Sequence, residues 1–148
     1  MYKHILIATD GSDLAQKAET TGLALTKELN AKATAVTVTE PWDALSMAAL
    51  AERSVPNPVA DYEECMAGSA NRILWGVGEA AKKVQISCTP LHVKDRYPAE
   101  GIIETAKERG CDLIVMASHG RRGLSKMLLG SQATKVVSLS PVPVLICR

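Results

Sequence analysis

The chain alternates short unbroken apolar runs with longer stretches in which apolar residues recur every three or four positions. Three runs lack polar alternation: "HILIA" at 4–8, "DLIVMA" at 112–117 and "VPVLIC" at 142–147. "TAVTVT" at 34–39 is rich in β-branched residues, and "SCTPLHV" at 87–93 is a weaker fifth run. Unalternating runs of this length predict strands buried on both faces. Helical periodicity fills the gaps. Residues 13–29 set Leu14, Ala18, Thr21, Leu25 and Leu29 on one stripe. Residues 61–84 set Tyr62, Met66, Ser69, Ile73, Val77, Ala80 and Val84 on another, with Gly68, Gly76 and Gly78 as weak points where it could bend. Residues 98–109 open with Pro98 in the first turn and stop before Gly110, a C-cap residue. A last helix is expected from about Ser131 to Ser138, ended by "SPVP".

The resulting order, β-α-β-α-β-α-β-α-β, implies right-handed crossovers and an open parallel α/β sheet with helices on both faces. Ligands of such sheets settle at the carboxyl ends of the strands, where the strand order reverses. Those ends lead into "ATDGSD" (8–13), "TVTEP" (37–41), "HVKDRYP" (92–98) and "ASHGRRG" (117–123). One connection, "EPWDALSMAALAERSVPNP" at 40–58, exceeds the usual length. It is expected to hold a short helix near 43–53, and it reads either as a lid or as surface padding.

Composition narrows the function. The 148 residues suit one domain, 1–148, with an aliphatic core, since there is no Phe. A net charge of +1 argues against a broad nucleic-acid footprint but leaves room for a small anionic ligand. The four cysteines, Cys65, Cys88, Cys111 and Cys147, form no CxxC pair and no metal spacing with His. Free thiols in a reducing compartment are expected, and so is a cytoplasmic location. The opening "MYKHILIATDGS" does not read as a signal peptide, and no apolar run nears the ~20 residues of a membrane span.

The candidate chemistry lies in two loops. Gly120 follows the fourth strand, and nine residues later Gly130-Ser131 open a helix. A helix start offers unpaired N–H groups and the positive end of a dipole, both suited to phosphate. Ser131 could cap that helix or turn its hydroxyl to a phosphate, and Arg121, Arg122 and Lys126 add positive charge nearby. A solvated turn with a Ser cap accounts for the same residues. Asp10, ending the first strand, would repel phosphate and suits a ribose hydroxyl, an amino group or a metal. Equally, Asp10 or Ser12 could simply cap the first helix. Ser118 and His119 are neighbours, so on an extended segment their side chains diverge and form no nucleophile–base pair. No catalytic residues are assigned.

"KHILIATDGS", "DLIVMASHGRRGLSKMLLGS" and "PVPVLIC", in this order across nearly the whole chain, resemble the universal stress protein family. The resemblance implies a five-stranded sheet of order 3-2-1-4-5, Rossmann-like and akin to the adenine nucleotide alpha hydrolases. It implies a homodimer through the strand at 142–147, and in many members ATP (or ADP or AMP) with Mg2+ on its phosphates, bound by G-x2-G-x9-G-[ST]. The second glycine falls on Gly120, the third on Gly130 and the hydroxyl residue on Ser131. The first falls on Ala117, a departure. Ala8 and Thr9 would flank the adenine, Asp10 would meet base or ribose, and Val38 would offer its backbone to the base edge. Met116, Ala117, Ser118, His119 and Gly120 would line ribose and phosphates. Gly130, Ser131, Gln132 and Ala133 would hold the phosphates. The function implied is a nucleotide-responsive stress regulator with an unidentified regulatory protein partner. The alternatives are a nucleotide-free interaction module, which Ala117 motivates, and a slow ATPase or AMP-forming transferase.

Overall fold

The computed structural model describes residues 1–121 and 128–148. Its elements follow in the order β1 (His4–Ala8), α1 (Asp13–Glu28), β2 (Lys32–Val38), α2 (Ala44–Glu52), α3 (Pro58–Lys83), β3 (Cys88–Val93), α4 (Pro98–Arg109), β4 (Leu113–Ala117), α5 (Ser131–Leu139) and β5 (Val144–Cys147). All four strand pairings are parallel and the sheet order is β3-β2-β1-β4-β5, as the resemblance implies.

The apolar runs do not alternate because both faces of the central strands are covered. Ile5, Ile7, Leu113, Val115 and Ala117 pack with Ala18, Leu23, Leu74, Val77 and Ala81 under α1 and α3. Leu6, Ala8, Ile114 and Met116 pack with Ile102, Ala106, Ala133 and Val136 under α4 and α5. Neighbouring residues of one strand thus enter opposite cores, as the pleat demands. β3 and β5 are edges, and their residues are only half-buried or exposed. Two-sided burial therefore fails for these two runs, since each lacks a neighbour on one side.

Helix boundaries are close to expectation, with local corrections. The α1 stripe is Ala15, Ala18, Gly22, Leu23 and Thr26, whereas Thr21 faces solvent. Small residues let this helix lie tight on the sheet: a Cβ on Gly22 would come 2.7 Å from Ile7. α3 starts at Pro58, three residues earlier than expected, because Pro suits a first turn. It continues through Gly68, Gly76 and Gly78 to Lys83 without a break. Its buried residues are Ala70, Leu74, Val77 and Ala81. Gly110 is the left-handed C-cap of α4, at φ 64°. α2 forms within the long connection and buries none of its residues.

Candidate functional site

β1 leads to β2 on one side, and the chain later returns to place β4 on the other side of β1. The strand order reverses there, so a crevice opens between the exits of β1 and β4. The two exits are tied across it. Asp10 Oδ2 accepts from Arg121 N at 2.8 Å, and Asp10 Oδ1 accepts from Ser12 N at 3.0 Å. Helix capping falls to Ser12, whose Oγ accepts from Ala15 N at 3.2 Å. Asp10 is thus the bridge and Ser12 the cap, which resolves the two roles left open for this loop.

Two glycines make the crevice possible. A Cβ on Gly120 would lie 2.7 Å from Asp10 Oδ2. One on Gly130 would lie 3.1 Å from the Ser118 carbonyl and 3.5 Å from His119. Gly130 N donates to Ser118 O at 2.8 Å, which holds the start of α5 against the end of β4. Gly130 is the N-cap, so Ser131 stands in the first helical position rather than capping. The first intrahelical bond is Thr134 N to Gly130 O. The N–H groups of Ser131, Gln132 and Ala133 therefore have no acceptor inside the helix.

A cavity of about 530 Å³ occupies the crevice. Ala8, Thr9, Asp10, Val38, Met116, Ala117, Ser118, His119, Gly120, Arg121, Gly130, Ser131, Gln132 and Ala133 all line it. Arg122 and Lys126 lie outside the described residues. Val38 contributes backbone. Val36 O accepts from Thr9 N, while Thr39 N donates to Val93 O. Strand residues alternate sides, so the N–H and C=O of Val38 face the side of β1, where β1 has already turned away. Gln132 is partly committed, because its Oε1 accepts from Ala99 N at 3.1 Å at the start of α4. Ala117 keeps φ outside the left-handed region and belongs to the core cluster with Ile5, Ile7 and Ala18.

Ser118 and His119 do not diverge. Ser118 Oγ lies 3.1 Å from His119 Nδ1, because the chain leaves the extended conformation directly after Ala117. His119 Nε2 is buried and has no hydrogen-bond partner. Ser118 is itself buried. Across the sheet, burial and then the neighbouring Lys94 hold the His92 pKa below the usual imidazole value, and His92 Nε2 pairs with Thr39 Oγ1 at 2.8 Å. Among the described residues, no group of three His, Cys, Asp or Glu could hold a metal.

Tyr62, Met66, Ser69 and Ile73, from the stripe expected on this helix, also line the cavity. The signal was direction. α3 runs antiparallel to the strands, so its first half overhangs the carboxyl edge of the sheet while Val77 and Ala81 reach the core. Tyr62 donates to Glu40 O at 2.9 Å and fastens the β2 exit to α3. Thr37, Thr39 and Glu40 line the same wall.

The universal stress protein family model matches residues 1–148. Universal stress protein YxiE of Bacillus subtilis is 32% identical over 149 residues, covering 100% of both chains. Protein MJ0577 of Methanocaldococcus jannaschii superposes with a TM-score of 0.78 at 25% identity, covering 99% of this chain and 96% of its own. A universal stress protein solved in complex with cAMP has a TM-score of 0.73 at 27% identity, covering 99% and 97%. No helix among the described residues is long and apolar enough to cross a membrane. With sheet order, crevice and full-length similarity in agreement, the chain belongs to the universal stress protein family.

Proposed function

We propose that this chain binds ATP, or another adenine nucleotide, in the crevice between β1 and β4 and acts as a homodimeric stress-response regulator rather than a fast enzyme. The observation that carries this is the start of α5. Three N–H groups without helical acceptors meet the same cavity as Asp10 and the outward backbone of Val38. Phosphate suits the first, a ribose hydroxyl or amino group the second, and a base edge the third. These lie along one cavity of about 530 Å³, within the usual range for a small-molecule site. The relative solved with cAMP supports an adenine ligand.

Ala117 is compatible with this reading. Its methyl enters the core beside Ile5, Ile7 and Val115. Magnesium would arrive with the phosphates, because the described residues offer no metal cluster. Dimerisation is proposed through β5, an edge strand whose Leu145 is 37% exposed. Pairing would remove an unprotected edge.

A thermal-shift series with ATP, ADP, AMP and cAMP, with and without magnesium, tests the reading. Ligand at ~100 times its Kd should add about 2.7 kcal/mol of stability, which is a shift of several degrees. No shift with any of the four at millimolar concentration would sink the proposal.

A further inference from the structure

Thr9 uses every polar atom it has. Its N–H donates to Val36 O at 3.0 Å and its C=O accepts from Thr37 Oγ1 at 3.0 Å. Its hydroxyl oxygen accepts from Gly11 N at 3.1 Å and its O–H donates to Glu19 Oε1. That acceptor is a half-buried carboxylate on α1. Burial pushes the Glu19 pKa up, the Thr9 hydroxyl pulls it down, and the charge of Asp10 pushes it up again, for a net rise. Among the described residues, no Lys or Arg forms an ion pair with it.

A half-buried acid beside a second acid does not favour folding. Its use lies in the direction of one proton. A hydroxyl has a single hydrogen, and with that hydrogen held on Glu19 a lone pair is left facing Gly11 N. Gly11 sits at φ 75° with Ile73 2.7 Å from where its Cβ would be, so the turn is confined by packing and by this bond. The same turn carries Ser12 N to Asp10 Oδ1 and leaves Asp10 Oδ2 to reach Arg121 N.

We infer that Glu19 is a positioning residue of the nucleotide site. Through the Thr9 hydroxyl it fixes the Gly11 turn and so aims the Asp10 carboxylate across the crevice. This rests on the nucleotide-binding reading, and the test separates the two. ATP with magnesium is titrated by calorimetry into the full chain and into E19Q, E19M and T9V, with a melting curve for each. E19M and T9V should weaken ATP about tenfold, the effect of losing one hydrogen bond of this kind. E19Q should stay within about twofold, because its amide oxygen accepts the same bond. E19M should melt within about 3 °C of the parent, since removing a half-buried acid offsets the hydrogen bond lost. Lost affinity without lost stability is what a merely structural role would not give.

E19M binding ATP as the parent does would overturn the inference and leave the nucleotide reading standing. E19Q as weak as E19M would also overturn it, by placing the effect on charge rather than on the hydrogen bond. Should E19M not fold, T9V decides alone: parental affinity there rejects the inference. A parent that gives no binding heat removes the nucleotide reading and this inference together.

Discussion

Gly120→Ala is the sharpest perturbation of the crevice. It adds one methyl group at a position where Cβ would stand 2.7 Å from Asp10 Oδ2, while ordinary contact begins at 3.4 Å. The carboxylate cannot retreat freely. Ser12 N holds one oxygen at 3.0 Å and Arg121 N holds the other at 2.8 Å. The bond to Arg121 is the one the new methyl displaces, since it uses the same oxygen. A charge-assisted bond of this type contributes ~1.5–3 kcal/mol. At ~1.4 kcal/mol per tenfold, ATP should bind roughly 10–100 times more weakly. The melting temperature should fall by roughly 2–4 °C for each kcal/mol lost from the free protein. Calorimetric titration and thermal melting read both quantities. Gly76→Ala is the matched control: its Cβ would meet nothing within 4 Å, it lies on the outer face of α3, and it should stabilise by ~0.5–1 kcal/mol with affinity unchanged. A Gly120→Ala protein that binds and melts like the parent would refute the bridge as the organiser of this site.

Three further outcomes are expected. Ala117→Gly removes a methyl group that packs in the core at the edge of the cavity, so stability should drop by ~0.5–1 kcal/mol while ATP affinity stays within about threefold. Leu145→Glu on the β5 edge should turn a sedimenting dimer into a monomer without loss of fold. Cys88 and Cys111 are pushed up to about 11, mainly by burial. Their raised folded values mean stability is fully present below the ordinary thiol value of 9.0 and is lost as pH rises through about 11. Melts from pH 8 to 11 should show that decline, and alkylation at pH 8 should modify exposed Cys65 well before buried Cys111.

Much of the frame was legible because its signals are local. "HILIA" and "DLIVMA" announce two-sided burial, Pro98 and Gly110 bracket α4, and Gly130-Ser131 mark the start of α5. The illegible parts depend on partners distant in sequence. Asp10 and Arg121 stand 111 positions apart, and no local pattern says that they bond. Glu19 looks like any helix acid until Thr9 is seen beneath it. The Ser118–His119 contact depends on where the strand ends, and a boundary is the least local feature of a strand. Thr21 faces solvent because the stripe drawn through Leu14, Leu25 and Leu29 passes over Ala15 and Gly22, whose smallness is what lets α1 approach the sheet. Tyr62 and Met66 required knowing which end of α3 overhangs the crevice.

The most direct test follows backbone amides by NMR while ATP and magnesium are added to the full chain. Saturable shifts are expected, confined to Thr9–Ser12, Val38–Glu40, Ala117–Arg121 and Ser131–Ala133. The polar cleft lined by His4, Lys27, Lys32 and Arg109, on the opposite edge of the sheet, should stay silent. No shifts at millimolar nucleotide, or shifts centred on that opposite cleft, would contradict the nucleotide reading.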